Sequence, residues 1–133
     1  MSLENILSVT GKPGLYQLKT KTRNGFVVES LIDKKTAIIG INHNVSVLKD
    51  ISIYTYETEV PLKEVFQKIA EKENQGPSIN HKVSKNELQS YFSEVLPNYD
   101  EERVYASDIK KVVQWYNLLQ SNDLLTSLNQ EEE

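Results

Sequence analysis

The sequence predicts an α+β protein, because the spacing of its apolar residues changes about halfway along the chain. Before residue 57 the apolar residues alternate, or form short β-branched runs between turn residues, as strands do. After residue 60 they recur every third and fourth position, as in amphipathic helices. We expect a strand-rich domain over 1–57, a helical domain packed on or beside it over 58–122, and a polar tail over 123–133.

The first strand pair is predicted between residues 15 and 31. A two-residue turn at Asn24-Gly25 would leave both faces of the hairpin mixed, one combining basic residues with Phe26 and Val28 and the other combining leucines with polar residues. A three-residue loop over 23–25 sorts the faces better and sets Lys19 opposite Glu29. We expect this second register, with a weakly basic outward face and an inward face that carries Tyr16, Leu18, Phe26 and Val28.

Other short segments complete the predicted strand region. Residues 36–41 are β-branched and apolar, 45–48 form a shorter candidate, and 51–56 alternate isoleucine with tyrosine. Residues 2–7 are expected to form one helical turn. Four or five short strands joined by tight turns predict a small SH3-like antiparallel barrel, with a curled four-stranded sheet as the alternative.

Three helices are predicted in the second half. The first starts at Pro61 and runs to about residue 73, and the second starts at a capping box of Ser84 and Glu87. Residues 75–83 between them are expected to be an exposed linker. The third helix either runs unbroken from Asp100 or restarts at a cap formed by residues 107–108.

Composition limits the compartment and the partners. The 133 residues include no cysteine, so disulfides and thiolate chemistry are excluded. The N-terminus does not resemble a secretory signal, and no apolar run reaches the ~20 residues of a membrane span. We therefore expect a cytoplasmic protein with no membrane partner. Residues 1–56 hold seven basic and four acidic residues, net +3, whereas 57–133 are net −7.

Four strings of sequence carry a resemblance to a known family: residues 1–16, 50–55, 60–65 and 103–119. They resemble a family of small uncharacterised bacterial proteins with an N-terminal domain of unknown function and a helical C-terminal domain. The resemblance implies an SH3-like barrel followed by helices, and it carries a loose association with nucleic-acid binding. No catalytic motif comes with it, so it implies no site residue.

The sequence offers no pattern typical of a catalytic or metal site. Gly11-Lys12-Pro13-Gly14 lacks the spacing of a phosphate-binding loop and precedes a strand, so it predicts a turn. His43 and His81 have no second ligand at metal-binding spacing. We expect no enzymatic activity, no cofactor and no metal, and we interpret both histidines as exposed loop residues.

Two hypotheses for function remain. The first is a binding or adaptor module with a protein partner, whose candidate interface aromatics are Tyr54, Tyr56 and Trp115. The other interpretation of each is a core position, which the sequence favours for Trp115. The alternative is nucleic-acid binding by the outward face of the first hairpin and the turn that follows it. Its candidate residues are Lys19, Lys21, Arg23, Lys34 and Lys35.

Overall fold

The computed structural model describes residues 5–12, 14–40, 42, 44–122 and 124. The strand-forming segments of the first half pair as one antiparallel sheet, and five strands take part in it within those residues. Along the sheet their order is β4-β3-β2-β1-β5. The strands are β1 (Ile6–Val9), β2 (Tyr16–Thr22), β3 (Gly25–Ser30), β4 (Thr36–Gly40) and β5 (Val45–Val47).

The sheet is open, and the predicted barrel is therefore not confirmed. Strands β4 and β5 stand at opposite ends of the order, and no pairing between described residues joins them. All five strands nevertheless contribute to one apolar cluster, which we call the sheet core; its buried members are Leu7, Val9, Val28 and Ile39. The strands therefore share one apolar face. The α+β class is confirmed.

The register of the first hairpin differs from both predicted ones. Thr22 pairs with Gly25, so the loop has two residues, and a β-bulge between Leu18 and Thr20 shifts the pairing farther along the strands. The bulge brings Leu18 opposite Val28, which restores an apolar face after the tight turn. The predicted inward face is therefore right although the predicted register is wrong. Its four residues, Tyr16, Leu18, Phe26 and Val28, all belong to or pack against the sheet core.

The N-terminal segment also differs from its prediction. Ile6 and Leu7, expected in a helical turn, begin β1, which pairs with both β2 and β5. The run Ile-Leu-Ser-Val is too short to distinguish a helix from a strand by its spacing. Buried side chains on successive residues show that both faces of this strand are covered. Residues 2–4 of the predicted turn lie outside the described residues.

A second, two-stranded sheet precedes the helices in the described chain. It consists of β6 (Ser52–Tyr54) and β7 (Glu59–Pro61). The predicted strand 51–56 thus pairs with a neighbour that the sequence analysis did not predict, rather than joining the first sheet. Pro61 ends β7 and also stands directly before the first helix, as expected of a helix-starting proline.

The predicted helical region is confirmed as three helices within the described residues: α1 (Leu62–Lys72), α2 (Lys85–Val95) and α3 (Ala106–Ser121). The Ser84 side chain accepts from the backbone N–H of Glu87, as predicted. Helix α3 is not continuous from Asp100. It restarts at Ala106, where the Asp108 carboxylate accepts from the backbone N–H of Tyr105 at 2.9 Å.

The largest core lies between the sheet and the helices, and we call it the main core. It joins Ile6, Leu15, Leu31 and Leu48 of the first half to the buried faces of α1, α2 and α3. The connection 75–83, predicted as exposed, is partly buried, since Ile79 and Val83 pack against this core. Leu124 of the predicted tail also packs there, while residues 123 and 125–133 lie outside the described chain.

Candidate binding site

A cleft of about 490 Å³ opens between the first sheet, the second sheet and the third helix. Three stretches of chain form most of its walls, and Ser46 and Leu62 complete the lining. The first is the turn after β1 with Lys12, the second is β6 with Ile53 and Tyr54, and the third runs from Arg103 to Trp115. Backbone bonds hold these walls in place, since Leu62 N–H donates to Ile51 C=O at 2.9 Å and Thr10 N–H donates to Asn44 C=O at 3.0 Å.

The floor of the cleft is apolar and buried. It comprises Ile53, Leu62, Val104, Val112 and Trp115. Trp115, the single tryptophan of the chain, is only 8% exposed but faces this space. A ligand that entered the cleft would therefore contact a preformed apolar surface that includes an indole ring.

One rim of the cleft is a fixed pair of Tyr54 and Arg103. The Arg103 guanidinium lies 5.0 Å from the centre of the Tyr54 ring, and its Nε is 3.1 Å from Asp100 Oδ2. The backbone N–H of Asp100 in turn donates to Tyr54 C=O at 2.9 Å. The stacking and the ion pair together orient an exposed cation at the cleft edge.

Two further cations line the cleft. Lys12 and Lys111 are exposed, and neither makes a side-chain hydrogen bond or ion pair with another described residue. Asp108 is the one acidic residue of the lining among the described residues, and its carboxylate caps the start of α3. The cleft lining therefore holds three basic residues and one acidic residue.

The candidate aromatics separate into two classes. Tyr54 is 40% exposed and Tyr56 is 64% exposed. The Tyr56 hydroxyl accepts from the backbone N–H of Glu101 at 3.3 Å, which ties this side chain to the loop before α3. Trp115 is buried, so it acts as part of the cleft floor rather than as a projecting side chain. Tyr54 and Trp115 line the same cleft, whereas Tyr56 lies outside it.

The five predicted basic residues do not come together on one face. Arg23 stands in the turn before β3, whereas Lys34 and Lys35 follow its far end, six strand residues or roughly 20 Å away. Lys34 contacts the Asn122 side chain. The bulge also separates the basic residues of β2 from one another.

Within β2, the two lysines have different surroundings. Lys21 pairs with Phe26 and so shares the face of a residue that packs on the sheet core. Lys19 stands at the bulge, with its Nζ 3.9 Å from Glu29 Oε1, so the predicted charge pair forms despite the changed register. All five basic residues are exposed.

The glycine-rich turn and the two histidines were the remaining residues considered for phosphate or metal binding. A turn is present over residues 9–12, where Lys12 N–H donates to Val9 C=O at 3.0 Å, whereas Pro13 of the turn predicted over 11–14 lies outside the described residues. His81 is half-buried rather than exposed, and burial, followed by the charges of Lys110 and Lys82, lowers its pKa below the usual 6.5. His43 lies outside the described residues. Among the described residues, no three His, Asp or Glu side chains converge as a metal site.

Two known protein families match the two halves of the chain. The family described as "Domain of unknown function (DUF6852)" matches residues 51–119, which is more than half of the chain. The chain belongs to this family. A second family, "Domain of unknown function (DUF5606)", matches residues 3–48. The predicted resemblance, with an N-terminal domain of unknown function followed by a helical one, is confirmed.

The DUF6852 chain is also similar to a protein of known structure. The NMR solution structure of a structural-genomics target from Bacteroides vulgatus shares 46% identity, over 92% of this chain and 88% of that chain, with a TM-score of 0.76. No protein with a curated description matches the chain. None of the helices in the described residues is both long enough and apolar enough to cross a membrane.

The cleft lies where the DUF5606 and DUF6852 matches meet. Lys12 and Ser46 belong to the first matched stretch, whereas Tyr54, Arg103 and Trp115 belong to the second. Sequence reasoning identified Tyr54 and Trp115 but missed the three cations of the cleft. The sequence places Arg103 three residues after Asp100. It does not show that Arg103 contacts Tyr54 of β6, which lies about fifty residues earlier in the chain.

Proposed function

We propose that this protein is a non-enzymatic binding module, and that the cleft between sheet and helices receives a segment of a partner protein. The observation that carries the proposal is the arrangement of Tyr54, Arg103 and Trp115 around one preformed apolar space. Tyrosine, tryptophan and arginine are the residue types most enriched at the energetic centres of protein interfaces.

The geometry of the cleft supports a ligand that inserts side chains. Its volume of about 490 Å³ falls in the usual range of ligand sites, and such sites commonly lie between structural units. The Tyr54 and Arg103 side chains are already ordered by stacking and by Asp100, so binding has little side-chain entropy to remove. Tyr56 extends the aromatic surface beyond the cleft.

The proposal includes an SH3-like character for the sheet and a cytoplasmic location. An antiparallel sheet whose five described strands share one core supports the first, and small barrels bind peptides in aromatic grooves. The absence of cysteine from the 133 residues supports the second. The nucleic-acid alternative has less support, because Arg23 and the Lys34–Lys35 pair lie at opposite ends of β3 and Lys19 is paired with Glu29.

The test is selection of peptides from a displayed random library on the purified full chain. Binding of each selected peptide is then measured by anisotropy and by Trp115 fluorescence, which should change when the cleft fills. Ser52→Phe adds bulk to an exposed residue of the cleft lining, and it should abolish binding.

Thr36→Phe is the matched control, because it adds the same side chain at an exposed position of β4 that does not line the cleft. It should leave binding unchanged. Circular dichroism and the melting temperature verify that both variants fold. A selection that yields no peptide sensitive to Ser52→Phe would overturn the proposed function.

A further inference from the structure

We infer that the segment bound in the cleft is acidic, with aspartate or glutamate next to a large apolar residue. This inference rests on the proposed function and adds the chemistry of the partner to it. The apolar residue would occupy the floor formed by Ile53 and Trp115, and the carboxylates would reach the basic rim.

The charge of the cleft opposes the charge of the whole chain. The chain has a net charge of −4, yet Lys12, Arg103 and Lys111 line one space. Among the described residues, Asp108 is the acidic member of that lining, and Asp100 pairs with Arg103 from outside it. Asp108 already accepts a hydrogen bond from the start of α3. A cleft with low-dielectric walls concentrates the field of such cations and attracts anionic groups.

Arg103 is prepared to recognise a carboxylate. Its Nε lies 3.1 Å from Asp100 Oδ2 and its guanidinium lies over the Tyr54 ring, so two contacts orient the group. The two terminal nitrogens of a guanidinium can still donate to a carboxylate in parallel. Lys12 and Lys111 add two further positive charges to the lining of the same cleft.

The same cations could attract phosphates, but the aromatic surroundings favour a peptide. Single-stranded nucleic acid is usually held by bases stacked on aromatic rings along a strongly basic groove. Here Arg103 covers a face of Tyr54, and the indole of Trp115 is buried at 8% exposure. The rim tyrosine is already covered on one face, whereas an apolar peptide side chain needs only to contact the apolar floor.

The experiment compares peptides and variants on the full chain. The peptides selected from the displayed library are sequenced, and each acidic one is resynthesised with every Glu changed to Gln and every Asp to Asn. We expect acidic residues to be enriched, and the amidated copies to bind roughly tenfold more weakly. Affinity should also fall as salt is raised.

The matched pair of variants uses neighbouring lysines of α3. Lys111→Glu, at the cleft, should weaken binding of the acidic peptides roughly tenfold, and Lys12→Glu should act in the same direction. Lys110→Glu makes the same charge change at an exposed position outside the cleft lining and should have no effect. Melting temperatures confirm that the three proteins fold alike.

The outcomes separate the two proposals. Neutral or basic peptides that lose binding in Ser52→Phe would overturn the acidic partner and leave the binding module standing. Absence of any cleft-dependent peptide would overturn both. Labelled single-stranded oligonucleotides form a further arm; binding that is lost in Lys111→Glu but kept in Lys110→Glu would replace the acidic segment with a nucleic acid.

Discussion

At Gly25 the close approach of two strands leaves no room for a side chain. The residue pairs with Thr22 across the hairpin turn and with Gly40 of β4. A Cβ placed there would lie 2.0 Å from the backbone oxygen of Ile39. Gly25→Ala must therefore push β4 away from β3, and we expect it to lower the free energy of unfolding by about 3 kcal/mol, as measured by urea denaturation.

Gly11 provides the control for this substitution. A Cβ at Gly11 would have no neighbouring heavy atom within 4 Å, although its φ of +84° favours glycine. Gly11→Ala should then cost only the backbone strain of that conformation, about 1–2 kcal/mol. If both variants lost the same free energy of unfolding, the steric clash expected between a Cβ at Gly25 and the backbone of Ile39 would be contradicted.

The same turn shows how far single residues predict structure. A bend is found where the Asn24-Gly25 pair predicts one, although Gly25 itself already belongs to β3, and the apolar residues correctly predict the inward face. The loop length and the bulge after Leu18 were not predictable from local sequence. The two-residue turn by itself sets one register, and the bulge shifts that register so that Leu18 lies opposite Val28. That shift is favoured by packing in the sheet core, which involves residues distant in sequence. At the site, Lys12 and Lys111 carry no local signal that they share a cleft.

At the scale of elements, the connection between α1 and α2 is held in place by α3. The Asn117 side chain accepts from the Ser78 backbone N–H at 2.7 Å and from the Ser78 hydroxyl at 3.0 Å, and it donates to Ile79 C=O at 3.0 Å. The neighbouring Tyr116 hydroxyl donates to Gly76 C=O at 2.7 Å. These bonds explain why a polar segment without helix or strand is partly buried.

Asn117→Ala should release this connection. It leaves partly buried backbone groups of Ser78 and Ile79 without their partner, so we expect unfolding free energy to fall by about 2 kcal/mol. Backbone amides of residues 76–83 should also exchange faster with solvent. Asn86→Ala, at an exposed position of α2, is the control and should change neither quantity. Unchanged exchange in the Asn117 variant would contradict this account.

The helices were the elements that the sequence predicted best. Their apolar stripes and the Ser84 cap are local features, and a helix forms its backbone bonds within itself. Strand β7 was not predicted, because Pro61 at its end also marks the beginning of α1. The linker prediction for 75–83 failed because Asn117, the residue that holds it, is polar and lies some forty positions later.

For the whole molecule, the main question is whether the strand-rich region and the helical region unfold independently of each other. The main core contains Ile6, Leu15, Leu31 and Leu48 from the first region together with Phe66 and Tyr116 from the second. The spacing of apolar residues changes near residue 57, and this change marks the switch from strands to helices. It does not reveal that the strands and the helices pack their apolar faces against each other in one core.

A shared core predicts that the two regions unfold together. Trp115 fluorescence reports on the helices, and amide signals of Val28 in NMR spectra report on the sheet core, so a urea titration can follow both. We expect coincident transitions, because loss of the helices would expose the apolar face that β1 presents to them. Ile6→Val, which removes one buried methylene from β1, should move both midpoints by the same amount. A transition at Val28 that stays in place while the Trp115 transition moves would show that the sheet core is sufficient to hold the sheet alone, and the cleft would then lie between two independently stable parts.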